Sequence, residues 1–109
     1  MVKNLSKNTI VVRDLKRAST FLELLLGLHW LKNPPALLFR TRFGIHTLFL
    51  KAAIDVVVLD NRLRVVKLKS NLVPNRFFFW IPKYELVMEL AKGALRASRT
   101  ELGDQLALN

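Results

Sequence analysis

The chain has 109 residues, 51% of them hydrophobic, no cysteine and a formal net charge of +10. This length fits one domain that can bury a core without staples, and the missing cysteine excludes a disulfide framework, thiolate zinc sites, iron–sulfur clusters and a cysteine nucleophile. The charge, with a sequence pI near 10.8, points to a polyanion partner (nucleic acid, a phosphorylated ligand or an anionic surface) or else to a solvated basic exterior.

The amino terminus reads "MVKNLSKNTIVVRDLK", where Asn, Ser and Lys interrupt every apolar run. A signal peptide needs an apolar core of about 7–15 residues. The most apolar later stretch, "FLELLLGLHWL" from 21 to 31, contains Glu23 and Gly27 and is closed by Lys32-Asn33-Pro34-Pro35. It is too short for a membrane span of about 20 residues. No transmembrane segment is expected, and a cytoplasmic location is the simplest expectation.

"NTIVVRDL", residues 8 to 15, is β-branched and predicts a first strand. Thr20 and Glu23 can form a capping box, and Leu22, Leu25, Leu26 and Trp30 recur at helical spacing. A helix is predicted over about residues 19–27, ended by Gly27 and the prolines. "ALLFR" predicts a strand and "TRFG" a turn. "IHTLFL" and "IDVVVL" predict two more strands, separated by Lys51-Ala52-Ala53, and Asp60-Asn61 a turn. In "RLRVVKLK", residues 62 to 69, the charges fall at 62 and 64, then at 67 and 69. Strand side chains alternate with period two, so a plain strand would place these pairs on opposite faces. A β-bulge or a change of sheet is predicted at Val65-Val66.

"SNLVPNR" predicts a loop and "FFFWIP" a strand ending at Pro82. "YELVMEL" fits a strand with Leu86, Met88 and Leu90 on one face and Glu85, Val87 and Glu89 on the other, and is tolerable as a helix. A helical turn at about 94–98 and a closing strand at about 104–108 complete the chain. The predicted fold is mainly β (α+β), a small sandwich or partly closed barrel with one or two short helices.

No glycine-rich phosphate loop, ligand-spaced histidine pair or nucleophile elbow is present. The sequence therefore predicts no catalytic residue, metal or cofactor. His46 and Thr47 are either a hydrogen-bonded polar pair at a strand start or ligand contacts at a pocket mouth. The further ligand candidates are Asp55, Arg40 and Arg42. Asp55 sits in an apolar run, so it must be paired or heavily hydrogen-bonded. The expected role is structural: fixing the 51–53 connection by accepting backbone N–H or basic side-chain hydrogen bonds. An enzyme using Asp55 and His46 is the functional alternative, although a simple hairpin leaves them too far apart along the ladder for a direct dyad.

"RFFFW", residues 76 to 80, suits single-stranded nucleic acid, which is bound by stacking rings beside basic residues. On that reading Arg76, Phe78 and Trp80 form the surface, with Arg62, Arg64, Lys67 and Lys69. On the other, the segment is core plus edge, with alternate rings such as Phe77 and Phe79 turned inward.

The ordered segments "TFLELLLGL", "PALLFR", "FGIHTLFLKAAIDVVVLDNRLRVVKL", "LVP", "YELVMELAKG" and "ELGDQLAL" resemble the family called domain of unknown function 192. The resemblance spans nearly the whole chain. It falls on His46, Thr47, Ile54, Asp55, Asp60, Val65, Val66, Pro74, Glu89, Gly93, Gly103 and Asp104. It departs at Ala53, where the family often has proline, at Leu50, where methionine is usual, and at His29-Trp30, which replaces a methionine-containing segment after Gly-Leu. The resemblance implies a mainly β domain with short helices and no assigned activity. A non-catalytic domain binding a small ligand or a macromolecule is the leading functional expectation, and polyanion binding the alternative.

Overall fold

The structure is a computed structural model that describes residues 1–17, 36–42, 44–47 and 52–109. Its ten strands are β1 (Val2–Asn4), β2 (Thr9–Val12), β3 (Leu15–Arg17), β4 (Ala36–Arg40), β5 (Gly44–His46), β6 (Ile54–Leu59), β7 (Val65–Leu72), β8 (Phe77–Phe79), β9 (Leu86–Ala91) and β10 (Leu106–Leu108). One short helix, α1 (Ala94–Ser98), follows β9. The helix predicted over 19–27 lies outside the described residues.

Among the described residues the strands form three sheets, none closed into a barrel. A five-stranded sheet has the order β3-β4-β9-β6-β7. On one face lie α1 and the three-stranded sheet β10-β1-β2. Val2, Val11, Leu95 and Leu106 pack there against Leu38, Val57, Leu59, Met88 and Leu90. On the other face lies the ribbon β5-β8, whose Ile45, Phe78 and Trp80 pack against Leu37, Phe39, Val56, Val58 and Val87. The alternate residues of β4, β6 and β9 thus enter different cores. Burial on both faces explains why "IDVVVL" is an almost unbroken apolar run.

The parity change in "RLRVVKLK" corresponds to a bulge. Val65 pairs with Leu59 but Lys67 pairs with Val58, leaving Val66 extra. Val65 therefore joins one core while Val66 packs on the other. The strand runs from 65 to 72, later than the predicted 62–69, because Asp60 to Arg64 form the hairpin turn. There Asp60 Oδ1 accepts the Arg62 and Arg64 amides, each at 2.9 Å. β1 was not predicted: "VKN" has three residues and ends on a polar one. Asn4 is nonetheless buried, donating to Thr100 Oγ1 and Asp104 Oδ2.

Candidate functional site

Asp55 is 1% exposed and accepts backbone amides, but not those of the 51–53 connection that the sequence pointed to. Its Oδ1 accepts the Asn71 amide at 2.9 Å, and its Oδ2 accepts the amides of Gly93 at 3.2 Å and Leu95 at 2.9 Å. The expected donors were in the 51–53 connection. The actual ones are a second irregularity of the β6–β7 pairing, between Ile54 and Val56, and the turn from β9 into α1. Gly93, at φ 93°, is the N-cap of α1 and brings no capping side chain. Asp55 supplies that acceptor from a neighbouring strand, satisfying first-turn donors that would otherwise be orphaned.

Thr47 is fully buried and fixes the loop before β8. Its hydroxyl donates to Val73 O at 2.7 Å and accepts the Arg76 amide at 2.9 Å. Its backbone donates to Arg76 O and accepts from Asn75 N. Asn75, at φ 62°, takes the tight turn that this clamp demands. The "VPN" loop therefore delivers the chain into β8 in a fixed register: Gly44 with Phe79, Ile45 with Phe78, His46 with Phe77.

That register decides which rings face out. Phe78 and Trp80 turn into the core, where Trp80 Nε1 donates to Tyr84 O at 2.7 Å. Phe77 and Phe79 are 59% and 62% exposed, with ring planes 2° apart and centroids 6.0 Å apart. The expected alternation of inward and outward rings holds, but its phase is reversed in both expectations: Phe78 and Trp80 are not the surface rings, and Phe77 and Phe79 are not core. The cause is the inward pairing of Ile45 with Phe78. His46 stands on the outer face edge-on to Phe77, 6.2 Å between centroids.

A groove of about 460 Å³ runs beside these rings, lined by Lys69, Asn71, Leu72, Val73, Arg76, Phe77 and Phe78. Lys67 donates to Phe79 O and lies 5.0 Å from the centre of the Phe78 ring. Of the basic residues expected here, Lys67, Lys69 and Arg76 are brought together. Arg62 and Arg64 belong to the hairpin turn, where Arg64 Nη1 donates to Gly103 O. Arg40 and Arg42 do not line this groove. They clamp Glu85, at 3.0 and 3.2 Å. The Arg42 hydrogen bond foremost holds the Glu85 carboxyl below its ordinary range.

His46 and Asp55 do not form a dyad. Asp55 turns toward α1, and His46 lies on the ribbon covering the opposite face of the central sheet. Among the described residues no group of three His, Cys, Asp or Glu side chains could hold a metal ion. No helix there is long and apolar enough to cross a membrane.

Comparison with known proteins gives the family but no activity. The chain is 30% identical over 112 residues to a UPF0127 protein of Pyrococcus horikoshii, covering 97% of this chain and 96% of that one. It is 32% identical over 114 residues to a UPF0127 protein of Pyrococcus furiosus, with the same coverage. The chain belongs to the UPF0127 family. No protein-family model matches it. Two crystal structures share the fold. One is a protein of unknown function from Novosphingobium aromaticivorans, with TM-score 0.70 and 17% identity, matched over 86% of this chain and 74% of that one. The other is a putative transcription regulator from Sinorhizobium meliloti, with TM-score 0.74 and 16% identity, matched over 85% and 79%.

Proposed function

We propose that this UPF0127 domain is a non-catalytic binding protein whose β5–β8 ribbon takes single-stranded nucleic acid. The observation that carries the reading is the exposed pair Phe77 and Phe79, parallel on the outer face of a ribbon flanked by Lys69 and Arg76. Exposed rings cost free energy in water unless a partner covers them. Nucleobases present flat apolar faces to such rings, and the phosphates between them suit the flanking cations. The net charge of +10 supports a polyanion over a neutral ligand. Within UPF0127 we place the chain with domain of unknown function 192, on the ordered motifs from "TFLELLLGL" to "ELGDQLAL".

The test is fluorescence titration of the protein against labelled single-stranded oligonucleotides at two salt concentrations. Saturable binding should weaken as salt rises, because each neutralised phosphate releases condensed counterions. Replacing both Phe77 and Phe79 by Ala should weaken binding by roughly tenfold or more, since a stacked base contributes about 1–3 kcal/mol. Lys69→Ala should instead flatten the salt dependence. Absence of saturable binding at micromolar protein, or identical affinity in the double phenylalanine variant, would reject the reading.

A further inference from the structure

We propose a second site, on the other side of the β7 edge: the cleft between Asn71 and α1, which takes a phosphate group. The cleft has a volume of about 610 Å³, within the size range of pockets for small molecules. Its two walls are pinned to one point. Asp55, at the floor, accepts the Asn71 amide from one wall and the Gly93 and Leu95 amides from the other. Both carboxylate oxygens are thus engaged by backbone dipoles, and the walls are preorganised.

Lys92, Arg96 and Arg99 stand exposed around this cleft. No carboxylate pairs with any of them among the described residues, whereas Lys7, Arg40 and Arg42 do have acidic partners. The exposed acid beside the cleft, Glu101, is turned to Lys7, 3.4 Å away. Two carboxylates also line the cleft: Asp55, whose oxygens are taken up by three amides, and Glu101, which is paired with Lys7. The three cations outnumber them, so the balance is positive and suits a dianion. Two of the three are arginines, whose planar forks match phosphate oxygens two at a time. Arg99 is held in place beside the cleft. It takes φ 56° at the end of α1, a left-handed position that favours glycine. Its Nη2 donates to Lys7 O at 3.3 Å, which holds the guanidinium at the rim of the cleft and leaves its other N–H groups to reach a phosphate.

A phosphate could come from a free phosphorylated small molecule or from a nucleic-acid backbone, since Asn71 also borders the groove beside Phe77. The experiment is amide NMR of the full chain titrated with inorganic pyrophosphate, with ionic strength held constant by chloride. Saturable shifts are expected at Asn71, Gly93 and Arg96. Arg96→Ala and Arg99→Gly should each weaken binding by roughly tenfold or more, the loss expected for a hydrogen bond to a charged group. Arg99→Gly should keep or raise the melting temperature, which separates lost affinity from lost fold. The Phe77→Ala, Phe79→Ala double variant should bind pyrophosphate as before, so this site and the ribbon stand or fall separately. Competition by single-stranded oligothymidylate would assign the phosphate to a nucleic acid, and its failure to compete would assign it to a small molecule. Linear, unsaturated shifts, or unchanged affinity in Arg96→Ala and Arg99→Gly, would overturn the proposal.

Discussion

One carboxylate shows how far a residue can be read from its neighbours. Asp55 had to find donors, because a buried carboxylate without them is prohibitively costly. That much follows from "IDVVVL". Its partners do not, since Asn71 and Leu95 are 16 and 40 residues away and are set by strand register. Removing it leaves three buried or half-buried amides without an acceptor. Asp55→Ala should therefore destabilise by about 3 kcal/mol or more, at about 1–3 kcal/mol for each buried orphan. Asp55→Asn keeps one acceptor oxygen and should cost less. Thermal melts rank the two. Hydrogen exchange should show the loss at Asn71, Gly93 and Leu95 first, and an unchanged melting temperature for Asp55→Ala would refute the capping role.

At the scale of elements, legibility depended on alternation. The bulge at Val65-Val66 was visible because charged residues mark the faces of "RLRVVKLK". The outward rings of β8 were not, because four consecutive aromatics carry no polar marker of face. Their orientation comes from β5, through Ile45, and from the Thr47 clamp. Gly44 gives the ribbon its most sensitive position. A Cβ there would meet Phe78 O at 2.5 Å and Phe79 Cδ1 at 2.7 Å. The first is backbone in the paired strand and cannot swing aside. Gly44→Ala should separate β5 from β8 and displace the Phe79 ring. The expected result is a cost of about 1–3 kcal/mol, typical of overpacking, together with weakened oligonucleotide binding. A variant that binds and melts like the parent would show that the ribbon is not a rigid platform.

For the whole molecule, two buried acids oppose one another in their effect of pH on stability. Glu89 is 6% exposed on central strand β9, and no group bonds to it among the described residues. Burial pushes its carboxyl up to about 7 from 4.5. The native state then binds the proton more tightly than the unfolded chain, so stability is fullest below about 4.5 and is lost as pH rises through 7. This gap corresponds to about 3 kcal/mol. Asp104 behaves oppositely. Burial raises its carboxyl, but hydrogen bonds from Asn4, Lys7 and the Glu101 amide outweigh that and hold it below 3.8. Its contribution is present above 3.8 and disappears as pH falls through the depressed value. Asp104 also joins the two ends of the chain, since Asn4 closes β1 and Asp104 precedes β10. Acid therefore loosens the terminal sheet while also raising an already large positive charge. Base instead ionises Glu89 inside the central sheet. The melting temperature should peak on the acidic side of neutrality, near about pH 5, and decline toward pH 8. Glu89→Gln, which cannot ionise, should match the parent near the peak and exceed it at pH 8. Parallel profiles for parent and Glu89→Gln from pH 5 to 8 would place the pH dependence elsewhere in the molecule.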